Sequence, residues 1–199
     1  MDAASLAPLC SQVEKVARAA GAFLLQEAGR VRPDQIEEKS LNSLVSYVDR
    51  TAEEMIVKDL RTLLPGADFL TEEDTVTATR QSDLRWIIDP LDGTTNFLFG
   101  LPCYSVSIAL ESAGELVLGV VYEPNRDECF SAWKQGGCFL NGEKVGVRQN
   151  ADLSRSLLAT GFPYYDYSRM EKYLELFKYF AKNMKSSRDR GAEGAAGGK

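Results

Sequence analysis

The sequence predicts an α+β layered fold, in which two helices lead into a large, mainly antiparallel sheet. Three observations carry this. Helical hydrophobic spacing occupies two early segments and one late one, short alternating apolar segments fill the span between them, and turn residues mark the joints. No internal repeat is visible.

Residues 5–29 place Leu6, Leu9, Val13, Val16, Ala20, Phe23 and Leu24 at helical spacing, with Gln12, Lys15, Arg18 and Gln26 on the other side. A polar stretch through Pro33 and Asp34 reaches Lys39 and Asn42. A second helix is expected near Asp49, where Thr51 and Glu54 have capping-box spacing and Met55, Ile56, Leu60, Leu63 and Leu64 form the apolar side. Pro65-Gly66 ends it.

Strands follow. Asp68–Thr71 is short and runs into Glu72-Glu73-Asp74. Leu84–Ile88 is apolar, ends at Asp89 and is stopped by Pro90. Ser105–Leu110 sets Val106, Ile108 and Leu110 on one face, and Ala113-Gly114-Glu115 turns into Leu116–Tyr122. Asp127–Lys134 is a further strand candidate, and Asn141-Gly142 is a hairpin turn signal. Ser156–Thr160 gives another strand, and Arg169–Lys185 a helix with Tyr173, Leu176, Phe177 and Phe180. From Ser186 no apolar side remains, and four of the last nine residues are glycine, so a frayed tail is expected over 186–199 after an organised part over 1–185.

Composition narrows the function. Of 199 residues, 44% are hydrophobic and 26% charged, the balance of an ordinary globular chain. A net charge of -6 and a pI near 4.9 argue against a nucleic-acid partner. The four cysteines form no C-x-x-C pair and read as buried free thiols of a reducing compartment. No secretory leader and no apolar run of about 20 residues is present, so a cytoplasmic protein without membrane contact is expected. The chain contains no histidine. That excludes Ser-His-Asp triads, Cys-His pairs and His-ligated zinc, and leaves carboxylates, hydroxyls, backbone amides and hard metal ions to carry any catalysis.

The informative segment is Trp86-Ile-Ile-Asp89-Pro-Leu-Asp92-Gly-Thr-Thr-Asn-Phe97. An apolar strand delivers Asp89 at its C-terminal end, and a turn forced by Pro90 brings Asp92 back beside it. Two close carboxylates repel unless a cation lies between them. Oxygen-only ligation, with the Leu91 carbonyl as a further donor, points to magnesium or manganese. Gly93-Thr94-Thr95 then offers backbone N–H groups at a helix start, suited to phosphate oxygens. Either Glu72 or Glu73 could complete the metal shell. Acidic pairs at strand ends are also common solvated turn residues, and Asp-Pro and Asp-Gly also mark plain turns.

Taken together, Leu70-Thr-Glu-Glu-Asp74 and the Trp86–Phe97 segment resemble the inositol monophosphatase family. Lys39, Asn42-Ser43-Leu44-Val45, Asp49, Gly119–Tyr122 and Gly136–Gly142 extend the likeness from about residue 5 to about residue 185. The resemblance implies alternating αβαβα layers and hydrolysis of a small phosphate monoester of a polyol or sugar, with inositol 1-monophosphate as family default. It implies one magnesium on Glu72, Asp89 and the Leu91 carbonyl, and a second shared by Asp89 and Asp92. Gly93, Thr94 and Lys39 would hold phosphate, while the Thr94 hydroxyl, linked to Asp49, and Glu72 would orient the attacking water. Asp49 could equally cap the second helix, or do both. A homodimer is implied in the same way.

The family's later Trp-Asp-x-Ala-Ala-Gly-like stretch has no counterpart here, since neither Trp86 nor Trp133 precedes an aspartate. The expectation is therefore that the C-terminal half is largely missing after Ser187. The chain alone would then be weakly active or inactive; the alternative is a catalytically dead relative or fragment that serves as a binding or regulatory module. Rival phosphatase chemistries lack their residues. Asp89 and Asp92 are three apart rather than two, no cysteine has an arginine six residues on, and Glu143 stands where a P-loop after Gly137 needs lysine.

Overall fold

Helix α1 (Ala3–Glu27) buries Leu6, Leu9, Val13, Val16, Ala20 and Leu24 of the expected stripe and half-buries Phe23, while Cys10 and Ala17 join the buried side unannounced. The structure, a computed structural model, describes residues 3–40, 43–77, 81–147, 158–161 and 167–183. Two compact units emerge, Met1–Gly146 and Val147–Lys199. In the first, α1 lies so close to the sheet that a Cβ on Gly21 would sit 2.5 Å from the Tyr122 ring, so only glycine permits this approach.

A short 3-10 turn (Pro33–Gln35) leads into a hairpin of β1 (Ile36–Ser40) and β2 (Ser43–Ser46). Periodicity gave no sign of it, because Ile-Glu-Glu-Lys-Ser does not alternate. Helix α2 (Tyr47–Leu63) follows at once. Its cap is Ser46, whose hydroxyl accepts the Val48 N–H at 3.2 Å, and its box partner is Asp49, which accepts the Ser46 N–H at 2.9 Å. The expected Thr51/Glu54 box is therefore displaced by one that starts five residues earlier. An ion pair between Arg50 and Glu37 ties the hairpin to the helix.

Seven strands form one sheet in sequence order: β3 (Asp68–Thr71), β4 (Leu84–Asp92), β5 (Ser105–Ser112), β6 (Glu115–Glu123), β7 (Glu128–Trp133), β8 (Gly137–Leu140) and β9 (Glu143–Val145). Only β3 and β4 run parallel; every other pairing is antiparallel. Ala113-Gly114 and Asn141-Gly142 make the tight turns, all four with positive φ as a type I′ hairpin demands.

Period-two burial fixes the faces. Trp86, Ile88, Val106, Ile108, Leu110, Val120 and Tyr122 are buried in one core with α1 and α2. Each such aliphatic side chain contributes about 1.5–3 kcal/mol by leaving water. The opposite face presents Leu70, Val121 and Phe130, which are exposed.

In the second unit, α4 (Met170–Asn183) lies within the helix expected at Arg169–Lys185. Leu158–Thr160 forms no strand, against expectation, and the rest of that segment and the tail from Ser186 lie outside the described residues. Among the described residues, no helix is long and apolar enough to cross a membrane. All four cysteines are free, but only Cys10 and Cys129 are buried; Cys103 and Cys138 are exposed, contrary to the expectation for the set.

Candidate metal and phosphate site

The parallel pair brings two acidic residues to one end of the sheet. Thr71 is registered with Ile88, so the next step along each strand sets Glu72 beside Asp89. Glu72 directly follows β3, and Asp89 is the first β4 residue past the last pair with β3.

Asp92 reaches the same face by a different device from the turn expected at Pro90. Strand β4 continues to Asp92, and its pairing with β5 slips: Asp89 faces Ser107, but Asp92 faces Ser105. Three steps on β4 thus match two on β5, which is a bulge with one extra residue. Residues three apart on a regular strand point to opposite faces. The extra residue restores parity, because Ser105 and Ser107 share a face, and so do their partners Asp89 and Asp92. Pro90 is tolerated where ladder hydrogen bonding is already interrupted.

The electrostatics follow from this crowding. Burial, a hydrogen bond with Glu72, and the charges of Glu72 and Asp92 push the Asp89 carboxyl up to about 8. Two carboxylic groups share a hydrogen bond only when one keeps its proton. The Leu91 N–H, donating to Asp89 Oδ1 at 3.2 Å, offsets part of the effect. Every donor in the cluster is oxygen, and the cluster is destabilised by its own like charge. A hard divalent cation relieves both conditions, so these residues fit magnesium or manganese. Among the described residues, no three His, Cys, Asp or Glu side chains already stand in coordination geometry. Glu72 and Asp92, both exposed, have room to rotate onto an ion.

Gly93 follows with φ +101, and a Cβ there would lie 3.0 Å from the Cys103 carbonyl oxygen. Glycine is therefore required at the point where the chain leaves the sheet. It N-caps the short helix α3 (Thr94–Leu98), whose Phe97 is buried edge-on against Tyr104. The Asn96 amide donates to the Cys103 carbonyl at 2.8 Å and closes the loop beyond.

The Thr94 hydroxyl lies 2.9 Å from Asp49 Oδ1 and 3.0 Å from the Leu91 carbonyl oxygen. It has one proton to give, and the charged acceptor forms the stronger bond. Asp49 Oδ2 meanwhile accepts the Ser46 hydroxyl and amide. Asp49 thus both caps α2 and holds Thr94. The structure brings Glu72, Asp89, Leu91, Asp92, Gly93, Thr94 and Asp49 to one region. Lys39 lies in β1, and its side chain falls outside the described residues.

One buried acid here escaped the sequence reasoning. Glu53, fully buried on α2, accepts the backbone N–H groups of Glu73 and Thr75. The available signal was its place one helical turn after Asp49, on the stripe that also buries Ala52 and Ile56.

Comparison with known proteins gives the family. Residues 5–196 match the profile described as the inositol monophosphatase family. The chain is 37% identical to the putative Nus factor SuhB of Neisseria meningitidis over 185 residues, 93% of this chain and 71% of that protein. It is 39% identical to an inositol-1-monophosphatase of Mesorhizobium japonicum over 156 residues, 78% of this chain and 59% of that one. The crystal structure of the extragenic suppressor protein suhB from Bartonella henselae superposes with a TM-score of 0.82 at 36% identity, covering 89% of this chain and 68% of that one. The expectation of no nucleic-acid partner does not stand, because relatives at this identity carry the name Nus factor. Net charge was a poor guide, since it describes the chain average and not the assemblies that a protein joins. By profile, identity and fold, the chain belongs to the inositol monophosphatase family.

Proposed function

We propose that the chain carries the metal and phosphate machinery of a magnesium-dependent phosphomonoesterase acting on a small phosphorylated polyol or sugar in the cytoplasm. The observation that carries this is the bulge in β4, which sets Asp89 and Asp92 on one face beside Glu72. Glu72, Asp89, Asp92 and the Leu91 carbonyl would hold the cation, with manganese as a substitute. A cation held there would supply the chemistry of lowering the pKa of water and offsetting charge on the phosphoryl and leaving oxygens.

The protein's own groups do the remaining work. With its proton committed to Asp49, the Thr94 hydroxyl turns lone pairs outward and can accept a hydrogen bond from the attacking water. Glu72 would orient the same water from the end of β3. The Gly93 and Thr94 amides would take phosphate oxygens, and Lys39 would add a compensating charge. Positioning of this kind is worth about 7–11 kcal/mol of barrier when the site is complete. The residues of 1–185 form the working part, and inositol 1-monophosphate is the default substrate.

A second role, as a binding or regulatory module, is favoured by the relatives named Nus factor SuhB. Calorimetric titration with magnesium separates the two. The enzyme reading requires saturable heats in wild type that vanish in Asp92→Asn, alongside magnesium-dependent phosphate release. Identical weak heats in both proteins favour the module.

A further inference from the structure

Helix α2 reaches the site with a second carboxylate that the chemistry above leaves unused. Glu53 lies one turn after Asp49 and is 0% exposed. Its Oε2 accepts the Glu73 N–H at 2.8 Å, and its Oε1 accepts the Thr75 N–H at 3.0 Å and the Thr75 hydroxyl at 2.6 Å. Burying a carboxylate is costly unless donors surround it, and here three donors do so.

All three donors belong to one turn. Between the two anchored amides stands Asp74, a non-glycine residue with φ +53. Aspartate tolerates this left-handed conformation better than most residues bearing a Cβ, and the clamp fixes the amides on either side of it. Glu72 sits directly before this turn and directly after the last registered residue of β3. Its backbone is therefore fixed from both sides, by the β3–β4 ladder at Thr71 and by Glu53 at Glu73.

We propose that Glu53 is a positioning residue. By clamping the Glu73–Thr75 turn it sets the Glu72 carboxylate against Asp89, and so sets the affinity of the acid cluster for a divalent cation without touching the ion. The inference rests on the metal reading of that cluster. Outer partners of metal ligands commonly control affinity by about 10–100-fold. Glu53→Gln keeps the volume but exchanges one acceptor oxygen for an NH2 group, which faces backbone N–H donors and cannot accept from them.

The test is manganese binding to the full chain, followed by the loss of the free-ion electron paramagnetic resonance signal. Wild type, Glu53→Gln, Thr75→Val and Asp92→Asn are compared, with circular dichroism recording the fold and the melting temperature. Saturable binding is expected in wild type and is lost in Asp92→Asn. Glu53→Gln, still folded, binds about 10–100-fold more weakly, and Thr75→Val shifts affinity several-fold in the same direction. A purely structural role would lower the metal-free melting temperature and leave affinity unchanged. Wild-type affinity in folded Glu53→Gln overturns the clamp, as does wild-type affinity in Thr75→Val should the glutamine variant not fold. Absence of saturable binding in wild type overturns the metal reading and the clamp together.

Discussion

Asp49 divides its carboxylate between two tasks: Oδ1 takes the Thr94 hydroxyl at 2.9 Å, and Oδ2 takes the Ser46 hydroxyl at 2.8 Å. The start of α2 and the start of α3 are thereby fastened to one buried group. Substitutions on either side of this link should separate stability from chemistry. Thr94→Val preserves shape and removes the hydroxyl. Phosphate release is expected to fall about 10²–10⁴-fold, the usual range for loss of a proton-handling group, with manganese affinity little changed. Asp49→Ala is expected to lower stability by about 1–3 kcal/mol as well, because buried donors lose their acceptor. Urea midpoints measured beside phosphate release distinguish the two variants.

The pH dependence of the metal-free protein has a defined sign. Asp89 rises from 3.8 when free to about 8 in the fold. Its proton is therefore held by the folded state, and the associated stability is fully present below about pH 4. That stability is lost as pH rises toward and through 8. The melting temperature in chelator should fall between pH 6 and pH 8, and Asp89→Asn should flatten the decline. Magnesium, which replaces the proton, should raise the melting temperature more at pH 8 than at pH 6.

Gly93→Ala tests the exit from β4. The new Cβ would meet the Cys103 carbonyl oxygen at 3.0 Å, in a backbone conformation with φ +101. A loss of more than about 1 kcal/mol is expected by denaturant unfolding, together with weaker phosphate inhibition because α3 must shift. The same substitution at Gly100, whose surroundings are open, meets only the conformational term.

Thiol reactivity divides the cysteines in half. Burial pushes Cys10 up to about 12 and Cys129 up to about 11, while Cys103 and Cys138 are exposed. A colorimetric disulfide reagent at pH 8 should modify two thiols rapidly in the native protein and all four in guanidinium. Rapid modification of Cys10 would mean that α1 does not pack as described.

Much of this was legible in the residues. Val106, Ile108 and Leu110 announce a half-buried strand by alternation, and the stripe from Leu6 to Leu24 announces α1. The acidic and glycine-rich segment after Trp86 gave the region of the site. Its geometry was not legible. The β4 bulge exists only in relation to the β5 register, so Asp89-Pro90 looked like a turn. The β1–β2 hairpin is polar and short, and it gave no period to detect. Ser46 and Glu53 looked like ordinary polar residues, since their importance lies in partners brought close by folding. Glu53 and Thr75, for example, are 22 residues apart in sequence.

The arrangement of Glu72, Asp89 and Asp92 about one cation is tested most directly by diffraction at the manganese edge from crystals grown with manganese. An anomalous peak bridging the side chains of Asp89 and Asp92, with Glu72 turned toward it, is the expected result. Crystals that show manganese elsewhere, or these three carboxylates splayed apart around ordinary solvent, would contradict it.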